Sequence, residues 1–250
     1  MSPLVAVAGK GGVGKSTIAA LLVRVLSEGG AVLAVDADPN SNLAQRLGVE
    51  VSGTVGQLRE GLLSTHGQPP RDMSKQEYLR LKLREMLVEG DGFDLLTMGR
   101  PEGPGCYCYV NNLLRVLVDQ LMDSHRYVVI DNEAGMEHLS RRTARSMDVL
   151  LLVSDPTPVG AATAGRLAEL ADELELKVGR KVLLMNEVRE GQEERAEALA
   201  EGTGLEHYLL HEDERVREGA YAGAPLKGDE ALARELREII PRLFPSDRRR

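Results

Sequence analysis

Short apolar runs alternate along this chain with longer stretches in which apolar positions recur every three or four residues. Leu4–Ala8, Ala31–Val35, Phe93–Met98, Tyr127–Ile130, Val149–Val153 and Val182–Met185 read as strands, most of them apolar at nearly every position. Strands apolar on both faces belong to parallel sheets covered by helices on either side. Helical patterns fill the intervals at Ser16–Ser27, roughly Lys75–Val88, Asn111–Met122 and Ala161–Leu174, and at Asp229–Arg242. Glu206–Leu210 reads as a weaker further strand. The alternation predicts an α/β fold of three layers, with a mostly parallel central sheet flanked by helices.

Two stretches break the pattern. Leu63–Asp72 carries Gly67, Pro69 and Pro70, and Gly99–Gly105 holds three glycines and two prolines in seven residues. Both read as loops, and long loops after strand ends are where function gathers in this fold class. No repeat and no linker interrupts the 250 residues, which predicts one domain over 1–250.

Composition narrows the setting. The net charge of −8, with its acidic residues dispersed, argues against nucleic acid as a partner. The chain has two cysteines, only two positions apart, so no disulfide framework is expected and a reducing, cytoplasmic setting is. The opening apolar run, Leu4–Ala8, is too short for a secretory segment, and no run predicts a membrane span.

Candidate chemistry begins at Gly9-Lys10-Gly11-Gly12-Val13-Gly14-Lys15-Ser16-Thr17. It matches G-x-x-x-x-G-K-[ST], with a predicted strand before it and a helix after it. Glycines allow backbone N–H groups to turn inward and cradle phosphate at a helix N-terminus. Lys15 suits the β- and γ-phosphates, Ser16 offers a hydroxyl to Mg²⁺, and Thr17 reaches towards the α-phosphate. ATP or ADP with Mg²⁺ is the expected ligand.

Carboxylates follow at two further strand ends. Asp36 and Asp38 lie in Ala34-Val35-Asp36-Ala37-Asp38-Pro39-Asn40, where they suit an attacking water or the Mg²⁺ shell, and equally a turn and helix cap. Asp131 ends Val128–Asp131, fitting a Mg²⁺ ligand acting through water, or a strand-end cap. Gly135 fits a backbone sensor of the γ-phosphate. Asn186 ends Leu183–Asn186 with one donor and one acceptor suited to adenine, or to a buried capping role.

The lysine at the start of KGGVGKST resembles the deviant Walker A loop of the MinD/ParA/nitrogenase-iron-protein superfamily. There it reaches phosphates bound to the opposite subunit, so the resemblance implies a homodimer with ATP at its interface. It also implies Lys10, Lys15 and Asp38 as catalytic residues, with Asp38 activating water. Nucleotide contacts are implied at Gly11, Gly12, Val13, Gly14, Lys15, Ser16, Thr17, Asp36, Asp131, Gly135 and Asn186. The segment LLHEDERV lacks the proline that this superfamily tends to carry near Leu210.

Cys106-Tyr107-Cys108 places two sulfurs on one side of an extended segment, just before a predicted helix whose N–H groups favour thiolates. Two thiolates are half of a tetrahedral set, and a two-fold axis would supply the rest. A pair of buried apolar thiols or a redox pair is the alternative. Context speaks for metal. Gly103–Asn112 closely resembles the G-x-G-C-x-C-x-x-N-N segment of CooC-type ATPases, accessory proteins for nickel insertion into carbon monoxide dehydrogenase. Asp131–His138 resembles their DMEAGxEH segment, departing at Asn132, and the likeness runs from Val5 to about Pro225.

The resemblance implies an ATP-hydrolysing metallochaperone. Cys106 and Cys108 would hold Ni²⁺ or Zn²⁺ across a dimer promoted by nucleotide and metal, and the client would be a nickel enzyme such as carbon monoxide dehydrogenase. Glu133 and His138 fit either a conduit from the nucleotide to that site or ordinary surface roles. His66, His125, His207 and His211 show no ligand spacing. A MinD/ParA-like positioning ATPase is one alternative, its candidate anchor being Ile239–Phe244 with Arg248–Arg250, although Pro241 and Pro245 interrupt a helix there. An iron-protein-like electron-transfer ATPase with a [4Fe–4S] cluster is the other.

Overall fold

The computed structural model describes residues 2–38, 42–63, 70, 72–99, 116, 118–132 and 146–244. Its strands are β1 (Leu4–Gly9), β2 (Val32–Asp36), β3 (Val88–Glu89), β4 (Phe93–Thr97), β5 (Tyr127–Asp131), β6 (Met147–Ser154), β7 (Val178–Val188) and β8 (Glu206–His211). They form one sheet in the order β3-β4-β2-β5-β1-β6-β7-β8. Every pairing is parallel except that of the two-residue edge strand β3 with β4.

Helices α1 (Lys15–Ser27), α2 (Asn42–Leu47), α3 (Val55–Leu63), α4 (Lys75–Glu85), α5 (Pro158–Glu173), α6 (Glu193–Glu201), α7 (Glu214–Ala222) and α8 (Ala231–Leu243) complete the described elements, with a further helical stretch at 118–123. Side-chain alternation along the strands explains the layers. Val5 and Val7 of β1 face a core shared with α1, α2 and α8, whereas Leu4, Ala6 and Ala8 face a second core shared with α3, α4, α5 and α6. Burial on both faces is what the uninterrupted apolar runs require.

The predicted strands are all present, and the weak one at Glu206 is real. Several boundaries differ. The helix expected to Val88 stops at Glu85, because Val88 pairs with Leu95 as an edge strand. The helix expected from Ala161 begins at Pro158, where Thr157 accepts the Gly160 amide and proline occupies the first turn. Strand β7 continues through Asn186 to Val188, so Asn186 lies within a strand rather than at its end.

Pro241 does not break α8, which runs on to Leu243. Leu232, Leu236, Ile239 and Leu243 make an apolar stripe against α1, and that packing holds the final turn together. The short helices α2, α3, α6 and α7 had no strong apolar period to reveal them; α7 buries none of its residues. No helix among the described residues is long and apolar enough to cross a membrane.

Candidate functional site: a phosphate cradle at the carboxyl ends of the strands

The loop after β1 is shaped by glycines at positions where other residues would not fit. A Cβ on Gly9 would lie 2.2 Å from the Val153 carbonyl oxygen, so only glycine lets β1 and β6 approach this closely. Gly12 and Gly14 have φ of 84° and 92°, in the left-handed region that glycine adopts without strain. Gly14 is the N-cap of α1, and no side chain caps that helix or adds an acid to its first turn. Uncapped N–H groups at the positive end of a helix make an anion site. Nothing lies within 4 Å of where a Cβ on Gly11 or Gly12 would sit, so space for phosphate is open on that side.

Lys15 is buried beside this cradle, and its Nζ donates to the Lys10 carbonyl at 3.0 Å. Lys10 itself is exposed at the rim. A buried ammonium among backbone amides is electropositive, which suits a polyphosphate.

Asp36 and Asp131 are register partners on β2 and β5, and both are fully buried. The Asp36 oxygens accept the backbone N–H groups of Asp38 at 3.1 Å and Leu43 at 3.2 Å, and so tie the end of β2 to α2. Burial, reinforced by the charge of Asp131, pushes the Asp36 carboxyl up to about 7. Burial likewise pushes Asp131 up to about 6, with the Ser16 hydroxyl and the Lys15 charge pulling against it. Ser16 approaches, yet among the described residues neither Asp131 oxygen finds a well-formed hydrogen bond. An orphaned buried carboxylate next to the hydroxyl of Ser16 is a donor set that fits hydrated Mg²⁺.

From this cradle a cleft of about 830 Å³ extends between α2, the end of β7, and the turn from β8 into α7. Asp38 lines it next to the phosphate loop. Asn186 is buried between the two regions, its amide donating to the Val13 carbonyl at 3.0 Å. The far wall carries Glu187, Arg189, His211, Glu212 and Arg217. Arg189 and Arg217 both grip Glu212, at 3.1 Å and 2.9 Å. The segment LLHEDERV therefore builds this wall without proline.

The CobQ/CobB/MinD/ParA nucleotide binding domain matches residues 4–226. The chain belongs to that family. An uncharacterised ATP-binding protein of Methanocaldococcus jannaschii is 48% identical over 205 residues, 81% of each chain. The carbon monoxide dehydrogenase accessory protein CooC of Rhodospirillum rubrum is 37% identical over 193 residues, covering 69% of this chain and 70% of CooC.

Among solved structures, the MinD cell division protein of Aquifex aeolicus superposes with a TM-score of 0.72 at 20% identity, over 98% of both chains. MinD of Pyrococcus horikoshii complexed with Mg-ADP does so at 0.69 and 22%, over 97% of both. At these identities the likeness is one of fold.

Most predicted site residues meet at the carboxyl ends of the strands. Lys10, Gly11, Gly12, Val13, Gly14, Lys15, Ser16, Thr17, Asp36, Asp38, Asp131 and Asn186 surround one loop and cleft. Gly135, Cys106, Cys108, Glu133 and His138 lie outside the described residues, as do Pro39, Asn40 and His66. Among the described residues no group of three or more potential ligands could hold a metal ion.

His125 pairs with Asp94, His207 with Glu197 and His211 with Glu235. Sequence reasoning missed Glu187, Arg189, Glu212 and Arg217. Their only signal was position, just past the ends of two successive strands.

Proposed function

We propose that this chain is an Mg²⁺-dependent ATPase that works as a homodimer and carries Ni²⁺ or Zn²⁺ as cargo on Cys106 and Cys108, for delivery to a nickel enzyme such as carbon monoxide dehydrogenase. The observation that carries the reading is the Cys-x-Cys pair of a CooC-like sequence, in the same chain as an intact phosphate cradle. Similarity to the CooC accessory protein supports the maturation role, and the two cysteines placed close together support a cytoplasmic setting.

In this reading the amides of Gly11–Thr17 and the Lys15 ammonium bind the phosphates, and Lys10 reaches across to the partner's nucleotide. Asp38 orients a water and takes its proton as the water oxygen bonds to the γ-phosphorus and the bridging oxygen leaves on ADP. Ser16 and, through water, Asp131 would hold Mg²⁺, which would supply positive charge against the phosphates. Gly135 follows the γ-phosphate and links hydrolysis to opening of the dimer. Asn186 and the cleft wall hold the nucleoside.

A positioning ATPase is the second reading, and one observation weighs against its anchor. Ile239, Leu243 and Phe244 are buried in the core against α1 and β5 instead of facing outward. The deciding experiment is an anaerobic titration of the protein with Ni²⁺ and Zn²⁺, with and without ATP. About one metal per dimer is expected, shared by four thiolates. A Cys106→Ala/Cys108→Ala double variant that keeps the full stoichiometry would sink the reading.

A further inference from the structure

Most polar side chains on the far wall of the cleft are already committed to protein partners. One oxygen of Asp213 accepts the amides of Arg215 and Val216, and the other accepts that of Leu232. Glu212 is held between Arg189 and Arg217, and His211 pairs with Glu235 at 3.0 Å. Glu187 is different. Among the described residues no donor hydrogen-bonds its carboxylate, although that carboxylate lines the cleft and its Oε1 lies 4.0 Å from where a Cβ on Gly14 would sit.

Its side chain is exposed to the cleft, and its backbone is strained. The backbone is left-handed, with φ of 62°, a conformation that residues with a Cβ disfavour. Glu175, which shares this backbone sign, merely follows the end of α5, where such a turn is ordinary, whereas Glu187 lies inside β7 at a register shift between Met185 and Val188. Although the side chain is exposed, partial desolvation and the charges of Glu212 and Asp155 raise its pKa somewhat, against the pull of Arg189. Strained backbone of this kind clusters at ligand sites.

The ligand of this cleft is a nucleotide, and its phosphates offer oxygens that only accept. A carboxylate on this cleft wall can therefore take a donor from the nucleotide only from the other half of the molecule. We infer that Glu187 is a specificity-determining residue that accepts a hydrogen bond from the nucleoside half of the bound nucleotide. The donor is either the exocyclic amine of the base or the ribose 2′-hydroxyl, which share this chemistry. Asn186, fixed on Val13, sets the distance between Glu187 and the phosphate loop. The inference rests on nucleotide binding here and is independent of any metal cargo.

The test is calorimetric titration of wild type, Glu187→Gly and Glu187→Gln with ATP, ITP and 2′-deoxy-ATP, each with Mg²⁺. ITP replaces the amine with an oxygen, and 2′-deoxy-ATP lacks one hydroxyl. Wild type is expected to prefer ATP over one of these analogues by roughly tenfold or more, the scale of one hydrogen bond to a charged group. Glu187→Gly should lose that preference while melting no lower, because glycine relieves the left-handed backbone. Glu187→Gln should fall between.

Collapse of the ITP gap identifies the base amine as donor, and collapse of the 2′-deoxy gap identifies the ribose. Should the glycine variant melt low, Glu187→Asn, which also tolerates this backbone, carries the same comparison. Identical ATP-to-analogue ratios in wild type and variants overturn the inference, as does a wild type that does not discriminate. Failure of the wild type to bind ATP at all would instead bring down the nucleotide reading itself, and this inference with it. Loss of metal binding alone would leave it standing.

Discussion

Asp36 and Asp131 sit side by side on neighbouring parallel strands, both fully buried, and each has its carboxyl pushed above the ordinary range. The oxygens of Asp36 accept two backbone amides, whereas among the described residues those of Asp131 have no well-formed hydrogen bond.

The pair gives the nucleotide-free protein a pH dependence of known sign. A carboxyl with a raised folded-state pKa binds its proton more tightly in the folded state than in the unfolded chain. Its stabilising contribution is complete below the unfolded value of 3.8 and is lost as pH rises through about 6 for Asp131 and about 7 for Asp36. Urea melts without nucleotide should therefore show lower stability at pH 8 than at pH 5, by an amount on the order of a few kcal/mol. Asp131→Asn should flatten the profile and raise stability at pH 8, while removing the benefit of Mg²⁺ to nucleotide affinity. A flat wild-type profile would contradict the buried-pair assignment.

Asn186→Ala leaves the Val13 carbonyl without its donor in a buried position. A stability loss of about 1–2 kcal/mol is expected even in the absence of nucleotide. ATP affinity should fall as well, because the phosphate loop loses its brace. Chemical denaturation separates the two effects, since a residue that only reads the base would leave the nucleotide-free midpoint unchanged.

Gly9→Ala should be among the most damaging single methyl additions in the chain. The new carbon would meet the Val153 carbonyl at 2.2 Å, in the centre of the sheet where backbone cannot yield. A loss of roughly 3 kcal/mol or more is expected, on the scale of the largest single-residue effects. Thermal melts read it directly, and Gly11→Ala, with open space around it, should melt close to wild type while binding nucleotide less well.

Lys10 is exposed at the rim of the cradle, while Lys15 is buried within it. Lys15→Ala should abolish ATP binding. Lys10→Ala should leave binding within severalfold of wild type but remove ATP-dependent dimerisation and hydrolysis. Light scattering coupled to gel filtration, with and without ATP, distinguishes these outcomes, and a Lys10→Ala protein that still dimerises with ATP would refute the role across the interface.

The sequence by itself determined the layered α/β architecture, because strands buried on both faces must be apolar at every position. It also determined the phosphate loop, whose glycines and lysine carry their chemistry in local spacing. Short helices such as α2 and α7 escaped it, being held by tertiary contacts and caps instead of by an apolar period.

Only the tertiary structure decided the pairing of Asp36 with Asp131, which lie 95 residues apart in sequence and meet through the order of the strands. The same holds for Asn186 against Val13, and for Glu187, whose strained backbone and uncommitted carboxylate have no sequence signature. Strand order and close packing are global properties. They bring together residues whose local sequence records only which side chain each one carries.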